Sequence, residues 1–143
     1  MHSINVNHTV QVAHRLMNLP GKCQAIHGHS MRIEIELIGD LNENGILEGV
    51  DFAELKKDFR GMLDAKFDHH LVLNQDDPAA TVLWGVVPGI TEVPGDPTVE
   101  NLARWIANTC VTSYHWGRLV SMVSIEETDS NGAIYVLQED TNG

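Results

Sequence analysis

The chain has 143 residues, 43% of them apolar, a mean hydropathy of -0.13 and a formal charge of -11. That length supports one domain with a real core, and no apolar run approaches the roughly 20 residues of a membrane span. The acidic balance argues against nucleic acid, whose phosphates need a basic face, and two cysteines, Cys23 and Cys110, do not make a disulfide scaffold. No basic region followed by an apolar stretch opens the chain, so a cytoplasmic setting is expected.

The first element is a half-buried strand over residues 4 to 14. Ile4, Val6, His8, Val10, Val12 and His14 share one face, with Asn5, Asn7, Thr9 and Gln11 on the other. Asn18, Pro20 and Gly21 mark a loop that runs through Cys23. In the next strand His27, His29, Met31, Ile33, Ile35 and Leu37 form the inward row, and Arg32, Glu34 and Glu36 face out. Antiparallel pairing of the two strands places the end of the first beside the start of the second. His14, His27 and His29 are therefore expected to meet at one rim of the sheet.

A turn follows at Gly39 to Gly45, then a helix with Asp51 as N-cap and Glu54 three residues on. Its apolar stripe is Phe52, Leu55, Phe59, Met62 and Leu63. The pattern breaks from Gln75 to Asp96, read as a loop insertion in which Trp84, Val86 and Val87 form at most a short edge strand. Thr98 caps a second helix that buries Val99, Leu102, Ala103, Ile106 and Cys110, the last as a packed thiol. Leu119 to Glu127 and Ala133 to Leu137 read as a strand pair around the turn at Asp129-Ser130-Asn131-Gly132, and the last few residues are expected to fray. The order of strands and helices gives an α+β fold, a four-stranded antiparallel sheet with two helices on one face, over residues 1-143 as one domain. A sheet covered on one side only leaves edges and an open face, so a homo-oligomer is expected.

Three imidazoles match the ligand count of a catalytic zinc site, which keeps one position open. A His-x-His pair alone is a weak signal in a chain with eight histidines. The shared inward face of all three adds weight, against hydrogen-bonded core histidines. Cys23 serves either as a fourth ligand or as a base whose proton affinity a nearby cation lowers. Asp68 and His69 read either as a proton-transfer pair or as a helix-terminus pair. Glu127 ends an inward row; it is either exposed or pairs with a ring N–H and exocyclic amine of a bound base. A zinc hydrolase and a non-enzymatic metal-binding oligomer remain alternatives at this point.

Motifs spread through the chain add a family resemblance. Ala13-His14-Arg15-Leu16, Cys23-x-x-x-His27-Gly28-His29, Val50-Asp51-Phe52, Phe67-Asp68-His69, Pro97-Thr98-x-Glu100-Asn101-x-Ala103 and Glu127-Thr128 occur in that order. Together they resemble the 6-pyruvoyltetrahydropterin synthase / 6-carboxytetrahydropterin synthase family. The resemblance implies a tunnelling fold, closed into a barrel by several subunits, with a hexamer as the typical assembly and active sites between subunits. It implies Zn2+ on His14, His27 and His29, Cys23 as proton-abstracting thiol, Asp68 and His69 as a second acid/base pair, and Glu127 as pterin anchor. Thr98 and Glu100 match a segment near the pterin pocket, and Arg15 and Lys22 are candidate triphosphate contacts. The implied substrate is a small-molecule pterin triphosphate, 7,8-dihydroneopterin triphosphate. The implied product is 6-carboxytetrahydropterin, with acetaldehyde and triphosphate released, on a route to queuosine and other 7-deazaguanines. Stopping before carbon–carbon cleavage would give the pyruvoyl product instead. Ser30-Met31, Phe67 and the 75-96 insertion depart from the common family pattern.

Overall fold

Two long strands carry the architecture. In the computed structural model, which describes residues 1–137, β1 (His2–His14) pairs antiparallel with β2 (His27–Gly39) along its whole length, His14 opposite His27 and Val12 opposite His29. The fraying expected at the C-terminus lies outside the described residues. Between the strands a 3-10 turn spans Lys22–Gln24. Alternation in β1 and β2 sends Val6, Val10, Val12, Met31, Ile33, Ile35 and Leu37 into the core.

Helix α1 (Phe52–Lys66) starts where Asp51 accepts a hydrogen bond from the Glu54 N–H at 2.8 Å. It buries Leu55, Phe59, Met62 and Leu63, whereas Phe52, expected in that stripe, is half exposed in the first turn. Truncating fully buried Phe59 to Ala would cost about 3–5 kcal/mol. Then come β3 (Leu71–Asn74), a short α2 (Ala79–Leu83), β4 (Ile90–Val93) and α3 (Val99–Ser113). Helix α3 buries Val99, Leu102, Ala103, Ile106, Ala107 and Cys110, and burial pushes the Cys110 thiol up to about 12. A 3-10 turn at His115–Leu119 leads into β5 (Val120–Thr128), and β6 (Asn131–Val136) pairs back on it.

The sheet therefore has six strands in the order β4-β3-β1-β2-β5-β6, not four. It is mixed rather than antiparallel, because β3 runs parallel to β1 and β4 parallel to β3. The segment from 75 to 96 is not a plain loop: it holds α2 and β4 and extends the sheet. The expected edge strand at Trp84 to Val87 is only a single bridge between those two residues. Helices α1 and α3 do share one core with the sheet; α2, the third helix, buries nothing. No helix among the described residues is long and apolar enough to cross a membrane.

Candidate metal centre and active site

The register of β1 and β2 puts His14, His27 and His29 on the core side at one end of the sheet. Their ligand atoms all lie within 4.8 Å of one another. His14 is buried and donates from Nδ1 to the Pro97 carbonyl at 2.8 Å. His27 donates from Nδ1 to the Ala25 carbonyl at 2.7 Å. A carbonyl can only accept, so each neutral ring keeps its proton on Nδ1 and presents a lone pair at Nε2. Those two Nε2 atoms face each other at 3.0 Å, and His29 Nε2 is buried with no hydrogen-bond partner. Lone pairs so placed repel unless a cation stands among them. Two nitrogens bound to one tetrahedral ion at 2.0–2.1 Å would be about 3.3 Å apart, close to the observed spacing. The three rings thus fit a metal ion. Burial pushes the His14 pKa down; the Pro97 hydrogen bond opposes this and the nearby His27 adds to it, which favours the neutral ligand form.

Glu127 sits where the β5–β6 pairing shifts between Glu126 and Thr128. Alternation along β5 turns it inward with Val123 and Ile125, its carboxylate 3.7 Å from His29 Nε2. The Cys23 loop is held by three successive carbonyls. Cys23 accepts from the Leu16 N–H (2.9 Å), Gln24 from Arg15 (3.3 Å) and Ala25 from His27 (2.7 Å). Cys23 itself is half-buried and free, and it is not part of the ligand cluster.

Asp68 and His69 lie elsewhere, along the edge of β1. Asp68 accepts from the Gln11 N–H at 2.9 Å and from His69 Nδ1 at 3.0 Å. The Gln11 hydrogen bond first, then that of His69, holds the Asp68 carboxyl below its ordinary range. His69 has a left-handed backbone (φ 58°), unusual for a residue with a side chain, and its imidazole is mostly exposed. A cleft of about 630 Å³ opens along this edge, bordered by Gln11, Ser30, His29 and His69 with Ile26, Leu83 and Val87 as apolar wall, and neither His14 nor His27 lines it.

The remaining candidates are distributed as follows. The Thr98 hydroxyl accepts from the Asn101 N–H and caps α3, keeping its own proton free to donate. Glu100 is exposed in the first turn of that helix. Arg15 is engaged by the buried Asp77 carboxylate at 2.7 Å, and Lys22 is exposed on the 3-10 turn. His8 pairs with Asp64 at 2.7 Å and does not join the trio. The partners that fix the ligand rings, the carbonyls of Pro97 and Ala25, carry no signature in a sequence because every residue has a carbonyl.

Fold and trio define an α+β protein with a candidate metal centre at the rim of its sheet. A family model described as 6-pyruvoyl tetrahydropterin synthase matches residues 3–138, and the chain belongs to that family. It is 31% identical over 114 residues to the 6-carboxy-5,6,7,8-tetrahydropterin synthase of Haemophilus influenzae, covering 76% of this chain and 81% of that protein. To the protein of the same name from Rickettsia felis it is 30% identical over 120 residues, covering 80% and 86%. Caenorhabditis elegans 6-pyruvoyl tetrahydropterin synthase superposes with a TM-score of 0.71 at 25% identity, covering 96% of each chain. An uncharacterized protein from Wolinella succinogenes gives 0.82 at 18% identity, covering 96% and 98%, and speaks to the fold alone. The fold is the tunnelling fold, with β3 and β4 at one edge of its sheet.

Proposed function

We propose that the protein is a zinc-dependent 6-carboxy-5,6,7,8-tetrahydropterin synthase, a lyase acting on 7,8-dihydroneopterin triphosphate in 7-deazaguanine biosynthesis. The observation that carries this is the facing pair of unprotonated Nε2 atoms on His14 and His27, with the orphaned Nε2 of His29 beside them. Curated relatives bearing the carboxy name over most of the chain favour that product over the pyruvoyl one. A zinc ion held by the trio would supply positive charge to the substrate's side-chain oxygens.

The chain's own residues take the other tasks. Glu127 accepts hydrogen bonds from the ring N–H and amino group of the pterin, which supplies the partner its half-buried carboxylate needs. Cys23, outside the ligand cluster, removes a proton from the substrate side chain as its thiolate. Asp68 takes the Nδ1 proton of His69 as a hydrogen bond, leaving His69 Nε2 to pass protons to and from the substrate. That pair stands at the edge of β1 and not beside the trio, which fits a site completed by a second subunit of a cytoplasmic homohexamer. Thr98, through its spare hydroxyl proton, and Glu100 border the pterin.

The test is product analysis. Zinc-loaded protein given 7,8-dihydroneopterin triphosphate is expected to release acetaldehyde and triphosphate in equal amounts, with 6-carboxytetrahydropterin identified by mass spectrometry. Accumulation of the pyruvoyl compound without acetaldehyde would reassign the product. No turnover at all would overturn the reading.

A further inference from the structure

His14 can offer Nε2 to an ion only while its proton stays on Nδ1, and the Pro97 carbonyl keeps it there. The ring of Pro97 fixes its φ but not its ψ, so the direction of that carbonyl depends on how the flanking residues are held. Asp96 supplies the hold. Its carboxylate accepts from the Asn18 N–H (3.0 Å), Asn18 Nδ2 (3.3 Å) and Asn74 Nδ2 (3.0 Å). Its backbone carbonyl accepts from the Thr98 N–H (2.8 Å) and Asn101 Nδ2 (2.9 Å). The loop after β1, the end of β3 and the start of α3 are thereby tied to one residue. Asn74 is almost fully buried, and its own Oδ1 accepts from the Asp76 N–H, so this side of the clamp is rigid.

We infer that Asp96 is a positioning residue for the metal centre: by clamping Pro97 it selects the His14 tautomer whose Nε2 is free. It does so without belonging to the ligand cluster. This rests on the metal reading proposed above. His27 is an internal control, because its carbonyl comes from Ala25, two residues away, and does not depend on Asp96.

The experiment uses full-length, metal-free protein labelled with 15N. In the parent, long-range proton–nitrogen correlation is expected to show His14 and His27 both protonated at Nδ1. In Asp96→Ala the His14 nitrogens are expected to move toward tautomer averaging while those of His27 stay in place. Zinc affinity by chelator competition should fall about ten- to a hundredfold. If Asp96 is only a structural brace, the variant will melt earlier while His14 keeps its tautomer and affinity stays within about twofold; that result overturns the inference. Should Asp96→Ala not fold, Asp96→Asn keeps the volume and one acceptor oxygen. A smaller shift of the same kind is then expected, and an unmoved His14 overturns the inference equally. A parent that binds no zinc would sink the metal reading instead, leaving the metal-free spectra to judge the Asp96 clamp separately.

Discussion

Cys23 lies outside the ligand cluster on a loop pinned by its own carbonyl, and the proton-transfer role proposed for its thiol asks for no place among the ligands. Cys23→Ala is expected to keep the parent's zinc content by atomic emission while turnover falls at least about a hundredfold; loss of zinc would make the thiol a ligand. His69 makes a second case. Its left-handed backbone costs about 1–2 kcal/mol in any residue with a Cβ. His69→Gly should leave the melting temperature equal to or above the parent's while abolishing proton transfer, a trade of activity for stability seen by calorimetry and product assay together. At this scale the sequence was informative wherever side chains announce themselves. The alternation of β1 and β2 turned His14, His27 and His29 inward, and a β5 row ended on Glu127. It was silent on Asp77 as the partner of Arg15 and on Asp96 as the hub of a clamp, because those contacts join residues 62 and 78 positions apart.

Among the elements, the turn after β3 is fastened to the end of β1 by Arg15 and Asp77. Burial by itself would raise the Asp77 carboxyl, but the Arg15 hydrogen bond, the Ala79 N–H and the Arg15 charge reverse this and hold it below its ordinary value of 3.8. A carboxyl lowered in the folded state stabilises fully above its unfolded pKa and loses that contribution as pH falls through the folded one. Asp77→Asn should therefore cost about 2 kcal/mol at neutral pH, or roughly 4–8 °C in Tm. The gap from the parent should close below about pH 4 in a series of thermal melts. Thr98→Ala removes the α3 cap and should cost about 1 kcal/mol by the same measurement. Both caps, Asp51 and Thr98, were legible because a capping residue sits at a fixed offset from an apolar stripe. The strands β3 and β4 were not. Four residues are too few to display a period, Leu71–Asn74 is buried on both faces, and parallel pairing joins segments that no local pattern connects.

Among the described residues α1 and α3 pack on one face of the sheet, and β4 and β6 are its two edge strands. On β6, an edge strand among the described residues, Ile134 and Val136 are about 63% and 64% exposed, an arrangement open to pairing with another chain. Native mass spectrometry is expected to find an oligomer, and Val136→Lys to shift it toward smaller species; a monomeric parent would count against the shared active site proposed above. Finally, β1 and β2 are zipped over 13 residues each, with side chains alternating at every step. A slip of one residue would turn one strand's imidazoles to the far side and part His14 from His27 and His29. Only the correctly aligned hairpin presents all three imidazoles together, so on the metal reading proposed above an ion present during refolding would act as a proofreader, rewarding the right alignment by mass action and leaving misaligned chains with fewer ligands.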